Sequence, residues 1–252
     1  MRATNSTGQR SRRSFLQAGA LGVGGLTLAD WLRLRAEGAA RPAAERTSVI
    51  LFWLSGGPGH METWDPKPLA PDEYRGPLGA IDTNVPGIQF SELMPEQAKL
   101  MDRLAVVRTV NHGSPGQYKT EVGARLLTPP LDRAISALVS DLIDRGLYER
   151  TLVVAMGEFG RTPRMNANAG RDHWGNTFSV LFGCGSMKMG QAIGRSSARG
   201  EHVVDRPFDP QDVAATVYHH LGIDAQNVMF PDHRGRPLAL LDRGEPIREL
   251  VG

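Results

Sequence analysis

Four short runs of the chain are apolar at nearly every position: "SVILFWL" (Ser48–Leu54), "LAVVRTV" (Leu104–Val110), "TLVVAM" (Thr151–Met156) and "FSVLFG" (Phe178–Gly183). They are rich in β-branched or aromatic residues and too short for buried helices, so each reads as a strand. Apolarity without alternation predicts strands covered on both faces, hence a mainly parallel α/β sheet flanked by helices. Elsewhere the period becomes helical. In "TPPLDRAISALVSDLIDRG", Leu131, Ile135, Leu138 and Leu142, with Val139 and Ile143 beside them, form one stripe. Thr128 is placed to cap this helix, Pro129 and Pro130 suit its first turn, and Gly146 ends it. In "DPQDVAATVYHHLG", Asp209 reads as the N-cap, Pro210 as the first helical residue and Gly222 as the stop. A shorter helix starts near Pro95. Helix 131–145, strand 151–156, loop, strand 178–183 is an α/β progression.

In such folds ligands sit in the loops after strand ends. Three polar clusters fall there: "SGGPGHMETWDPKP", "NHGSPGQY" and "GEFGRTP". With 252 residues the chain can bury a sizeable core, and 29 Gly with 17 Pro predict many loops rather than a helical bundle. The net charge of +2 conceals an asymmetry, because residues 1–40 hold six Arg against two acids and so carry +4. The remaining residues therefore carry about −2, which argues against a nucleic-acid binder.

The basic excess belongs to the leader "SRRSFLQAGALGVGGLTLADWLRLRAEGAARPAAE". Arg12 and Arg13 precede Phe15 and Leu16, and a Gly-rich, weakly apolar run follows to Ala29. That is the pattern of a twin-arginine export signal, with Gln17 at its last common position; a basic amphipathic helix is the plainer alternative. The run is too short and glycine-rich for a stable membrane span. Residues 1–44 are thus expected to be signal and linker, cleaved among the small residues from Gly38 to Ala44, and residues 45–252 one domain. Export implies the twin-arginine machinery as a partner and the periplasm or cell envelope as destination. Cys184, the only cysteine, reads as a buried structural thiol.

The segments "SVILFWLSGGPGHMETWDPKP", "YRGPLGAIDTNVPGIQFSELMPEQAKLMDRLAVVRTVNH", "PPLDRAISALVSDLIDRGLYERTLVVAMGEFGRTPRMN", "GRDHWGNTFSVLFGCG" and "HRGRPLALLDRGEPIREL" together resemble the bacterial domain-of-unknown-function family 1501. That family comprises twin-arginine-exported proteins related to sulfatases and the alkaline phosphatase superfamily. The resemblance implies an α/β sandwich with metal ligands and a nucleophile at the carboxyl ends of strands. Where sulfatase-like relatives carry Asp-His-Gly after the strand, this chain has Glu158-Phe159-Gly160. Glu158 keeps a carboxylate, whereas Phe159 cannot bind metal. A later superfamily His ligand corresponds to His173, with Asp172 beside it a weaker candidate. No Trp-Asp-x-His motif precedes the "PPLD" helix, so the resemblance implies a member whose middle section, nucleophile included, is deleted after about residue 119.

Residue chemistry at these positions leaves alternatives open. Glu158 and His173 together suit Zn, Mn or Fe, and carboxylates alone would favour Mg or Ca. The plainer reading pairs Glu158 with Arg161 or Arg171 in salt bridges. Those two arginines could instead hold a phosphate or sulfate through a bidentate fork. His60 and Asp65 are further metal candidates, Glu62 could reach in beside them, and Asp65 ahead of Pro66 could equally organise a turn. His112 could face the same cleft. His219 and His220 read as helix-face residues, and His202 and His233 as loop residues. "SGGPG" lacks the Gly-Lys-Ser/Thr ending of a phosphate loop. The expected function is at most that of a metal-dependent phosphate- or sulfate-ester hydrolase acting on a small anionic ester. The alternative is a non-catalytic exported envelope or binding protein with an incomplete metal site. A third expectation is a shortened sheet that exposes apolar surface.

Overall fold

The computed structural model describes residues 47–111, 122–167, 169–232 and 234–252. The leader 1–44 with Arg12 and Arg13, together with His112 and His233, lies outside the described residues. The chain runs β1 (Ser48–Trp53), α1 (Asp72–Arg75), β2 (Ala80–Asp82), β3 (Gln89–Ser91), α2 (Pro95–Ala98), β4 (Ala105–Val110) and α3 (Val122–Asp144). It continues β5 (Thr151–Met156), β6 (Gly160–Arg161), β7 (His173–Trp174), β8 (Phe178–Gly183), β9 (Gln191–Ile193), β10 (Arg195–Ser196) and β11 (Val203–Asp205). It closes with α4 (Pro210–His220), β12 (Met229–Pro231), β13 (Pro237–Ala239) and α5 (Arg248–Val251).

The four apolar runs become β1, β4, β5 and β8, and all four lie in one sheet of order β1-β5-β8-β4-β9. β1 is parallel to β5 and β4 to β9, whereas β8 runs antiparallel to both β5 and β4. The sheet is therefore mixed, with β8 alone reversed. The physical reason lies in the connection: no helix separates β5 from β8, so the chain folds back beside β5 without a crossover. Continuous apolarity reports burial on both faces, which β8 shares whichever way it runs.

Both faces are indeed covered, and successive residues alternate between two cores as strand geometry requires. Val153, Ala155, Val106 and Leu181 pack with Trp64, Phe90, Met94, Ile135 and Val139 on the α3 side. Leu152, Val154, Val107, Val180 and Phe182 pack with Val213, Val217 and Leu250 of α4 and α5 on the other. β1 is an edge strand, only half-buried, with Trp53 47% exposed. Cys184 is buried in the second core, as a structural thiol should be, and burial pushes its pKa up.

α4 is built as its sequence dictates: the Asp209 side chain accepts from the Gln211 and Asp212 amides, and Asp212 returns a bond to the Asp209 amide. α3 departs from expectation. It starts at Val122, so Thr128 is a buried interior residue rather than a cap, and Pro129 and Pro130 lie inside the helix rather than in its first turn. Ala124, Arg125, Leu126 and Leu127 are strong helix formers, so helix extends upstream of the prolines despite Gly123. On the stripe, Ile135, Val139 and Leu142 are buried, but Ile143, one residue round the helix from Leu142, is 37% exposed. The Gly146 stop holds, in the left-handed region at φ 63°.

Helix α2 takes its cap from a distance. Its N-cap residue Met94 supplies no side-chain bond. Instead the buried Asp132 of α3 accepts from the Glu96 and Gln97 amides at 2.9 and 2.8 Å. Asp132→Ala leaves those two amides unanswered in the core, and the expected loss is about 2 kcal/mol of stability. A lower urea midpoint at unchanged denaturant slope would confirm it; an unchanged midpoint would mean water replaces the carboxylate.

Candidate functional site

The parallel β1–β5 pair sets the site. Its register runs from Ser48 opposite Thr151 to Trp53 opposite Met156, and the Leu54 amide extends it by donating to the Met156 carbonyl at 2.8 Å. The loops that follow, 55–59 and 157–159, therefore leave the sheet side by side. Glu158 Oε1 accepts from the Gly56 amide at 2.8 Å, across 102 residues of chain. Gly57, at φ 67°, sits against Phe159 so closely that an added Cβ would collide with that residue's carbonyl and ring. The glycine-rich run is thus a close-packing device.

β6 and β7 then form a short antiparallel ribbon in which Arg161 pairs with His173. The Arg161 guanidinium is stitched onto the glycine loop: Nε donates to the Gly57 carbonyl at 3.0 Å and Nη2 to the Gly56 carbonyl, while Nη1 reaches the Arg171 carbonyl at 3.3 Å. It also lies 5.6 Å from the Phe159 ring centroid. Phe159 in turn packs on the His173 ring at 3.7 Å between centroids. Glu158, Arg161 and His173 are thereby brought into one electrostatic cluster. Partial burial lowers the Arg161 pKa, opposed by Glu158, Asp172 and Glu62. Desolvation and then Arg161 lower the His173 pKa, opposed by Glu158 and Asp172.

This cluster fits a metal only in part. Glu158 Oε2 is buried without a hydrogen-bond partner, as an oxygen reserved for a cation would be. Yet no group of three or more His, Cys, Asp or Glu that could hold a metal occurs among the described residues. The Arg161 guanidinium, moreover, occupies the field beside the carboxylate. Asp172 does not join the cluster as a third donor: its Oδ1 accepts from Asn166 at 3.2 Å, and it lines a separate shallow depression with Arg164, Trp174 and Glu201.

His60 and Asp65 form a second cluster, closed to solvent. Asp65 is 2% exposed, bridged by Lys67 at 2.9 Å and Arg108 at 3.5 Å, and accepts from the Ser196 hydroxyl. Burial alone would raise the Asp65 pKa, but Arg108 and Lys67 hold it below its usual range. A carboxylate so surrounded by cations is an internal ion-pair centre, neither an open metal ligand nor a simple turn residue. His60, also 2% exposed, places Nε2 3.1 Å from the Gly200 carbonyl and leaves Nδ1 buried without a partner.

Arg171 is a clamp in this structure. Its Nε donates to Glu62 at 2.6 Å, Nη2 to the Tyr74 carbonyl at 2.6 Å, and Nη1 to the carbonyls of Thr162 and Pro163. These bonds turn its fork onto protein acceptors, and Glu62 is spent as its partner. His220 lies 3.1 Å from the Ser48 carbonyl, at the helix face expected of it.

What sequence reading missed is the cavity itself. A cleft of about 370 Å³ opens at the ends of β1 and β6, lined by the glycine loop, Arg161 and Arg171, and by Leu78, Leu127, Leu131 and Met165. Its size is that of a small-ligand site. No local signal marks Leu78, Leu127 or Met165, which come from three distant segments.

The profile of the protein family of unknown function DUF1501 matches residues 46–130 and 117–251, which is most of the chain. The chain belongs to this family. No curated protein matches it. Among solved structures, the DUF1501 chain is similar to the phosphonate monoester hydrolase SpPMH from Silicibacter pomeroyi, at 17% identity and a TM-score of 0.31. That likeness covers 48% of this chain and 20% of the hydrolase. No helix among the described residues is long and apolar enough to cross a membrane.

The buried His60 makes stability depend on pH. Burial lowers its pKa from 6.5 to about 4, with Asp65 opposing the shift and Arg171 and Lys67 adding to it. Between those values the unfolded chain binds a proton that the folded one refuses, so stability falls as pH falls from 6.5 toward 4. At 1.36 kcal/mol per pH unit the gap is worth about 3 kcal/mol. Urea unfolding of wild type and His60→Leu at about pH 7 and about pH 4 should show the variant losing about 3 kcal/mol less on acidification. Equal losses would place the acid sensitivity elsewhere.

Proposed function

We propose that this DUF1501 chain is an exported protein of the bacterial envelope whose cleft binds a small anionic ester through Arg161. The observation that carries the reading is the placement of that side chain. Backbone carbonyls of Gly56 and Gly57 fix the guanidinium before any ligand arrives, and it lines a ligand-sized cavity at the carboxyl end of β1. An arginine held in this way loses little conformational freedom when it meets an oxyanion. The Arg12-Arg13 leader supports export by the twin-arginine pathway. The mixed α/β sheet with polar loops after β1 and β5 is compatible with a sulfatase-like, alkaline phosphatase-related fold. The family profile matches in two separate segments that overlap at residues 117–130, which supports an internal shortening there.

Metal-dependent hydrolysis is the second reading, favoured by the buried, unpartnered Oε2 of Glu158 beside His173. Those two donors would hold the ion, which would polarise an ester oxygen when bound. They do not close a site on their own, so no hydrolytic step is assigned to it. Arg171, whose charge is answered by Glu62 at 2.6 Å, supports the anion reading by holding the cleft's shape rather than by touching the ligand.

Calorimetric titration of the purified chain with inorganic phosphate or sulfate tests the first reading. Arg161→Gln should weaken binding by about tenfold or more, as loss of a charge-assisted pair does. Unaltered binding would remove Arg161 from the site. Elemental mass spectrometry decides between the readings: near-stoichiometric metal that disappears in Glu158→Ala/His173→Ala favours the hydrolase, and a metal-free folded chain favours binding alone.

A further inference from the structure

Strand β1 is an open edge of the central sheet. Among the described residues its only neighbour in the sheet is β5, and the pairing runs without a bulge from Ser48 to Trp53. In a parallel ladder alternate residues turn both main-chain groups toward the neighbour, and the Leu54 amide donates to the Met156 carbonyl. Phe52, Ile50 and Ser48 therefore face β5. Val49, Leu51 and Trp53 present their N–H and C=O groups at the open edge. Exposed edges are ordinarily blunted by a charge, a proline or a bulge, and "SVILFW" has none of these.

Both cores also run out at this strand. Ile50 and Phe52 are only partly buried on the α3 side, and Val49 and Leu51 only partly buried on the α4 side. Trp53 is 47% exposed. A strand added here must therefore be uncharged and apolar on both faces. The chain's segments outside the described residues do not supply one. Residues 112–121, "HGSPGQYKTE", hold glycines, a proline and charges, and residues 37–46, "EGAARPAAER", do so as well. Gly19, Gly22, Gly24 and Gly25 interrupt the apolar run of the leader.

β1 itself meets the requirement, and its residue order is self-complementary. The β-branched Val49 and Ile50 lie on one side of Leu51, and the aromatic Phe52 and Trp53 on the other. Antiparallel pairing of two copies about Leu51 sets Leu51 opposite Leu51, Ile50 opposite Phe52 and Val49 opposite Trp53. Each aromatic ring then meets a β-branched side chain across the strands, a favourable cross-strand pair. In this register the edge-facing residues Val49, Leu51 and Trp53 all fall in hydrogen-bonded pairs, so every open main-chain group is answered. The two-fold axis stands perpendicular to the sheet, and each core continues into its own counterpart. We propose that β1 is the interface of a two-fold dimer, in which two copies of this chain pair their β1 strands antiparallel about Leu51 into one continuous sheet.

Sedimentation velocity of the full chain tests this. Between about 1 and 100 µM the mass should shift reversibly from one chain to two, as a small interface allows. Trp53→Lys, at an exposed strand end, should weaken dimerisation by about tenfold or more while the circular dichroism of the single chain is unchanged. Leu51→Cys should be cross-linked by oxidised glutathione into a disulfide dimer, because paired Cα atoms in that register lie about 5.5 Å apart. Ser48→Cys should not, since its two copies would lie about 20 Å apart along the strands. A chain that stays single throughout the range would overturn the proposal. Hydrogen exchange at the Val49, Leu51 and Trp53 amides would then show whether another segment of the same chain or water meets the edge. A dimer indifferent to Trp53→Lys, or one in which Ser48→Cys cross-links as readily as Leu51→Cys, would place the interface elsewhere and overturn it equally.

Discussion

The parallel pairing of β1 with β5 is the constraint on which the rest of the structure depends. It joins residues about a hundred positions apart in a fixed register, and it does so where both strands end. Because the last ladder bond runs from Leu54 to Met156, the glycine loop and the Glu158 loop must leave the sheet in contact. Glu158 then answers the Gly56 amide, and Arg161 answers the carbonyls of Gly56 and Gly57. Backbone of one loop is thus satisfied by side chains of the other, which is how irregular segments can lie against a core without orphaned polar groups.

The same pairing explains why the cleft lies where it does. Gly57 and Gly157 bring two backbones close enough that no side chain fits between them. The ribbon β6–β7 is carried across the sheet end and anchored at its far side by Arg171, whose bonds to Glu62, Tyr74, Thr162 and Pro163 tie three segments together. A buried pair such as Arg171 with Glu62 adds little net stability compared with apolar packing, but it fixes geometry. Here the geometry it fixes is one side of a ligand-sized space. The Asp65 centre has the same character, with Lys67, Arg108 and Ser196 converging on one buried carboxylate.

Polar and apolar requirements are met by different layers. The two hydrophobic clusters, one on each sheet face, use strand alternation so that neighbouring residues of β5 serve opposite cores. The cleft uses what remains after those cores are filled: the exposed Leu127 of α3, the chain before β2 and the ribbon. The sheet's edge strand β1, half-buried with Trp53 partly in solvent, is where both-face coverage is weakest.

Local pattern alone determined much of this protein. The four strands, the Asp209 cap with Pro210 behind it, the Gly146 stop and the buried state of Cys184 all follow from period, propensity and cap chemistry, which act over a few residues. Sequence also singled out Glu158 and Arg161, because polar residues after buried strands collect at sheet ends, and His173 through the family resemblance. Tertiary structure decided the remainder. β8 reversed direction because its connection lacks a crossover helix, which its own residues do not encode. Thr128 became an interior residue because helix extended past the prolines. Whether Arg171 faces a ligand or the protein, and whether Asp65 is a turn residue or an ion-pair centre, depended on partners up to 131 residues away. Side-chain chemistry is legible in sequence, but the partner that uses it is chosen by long-range pairing, and only the folded chain supplies that.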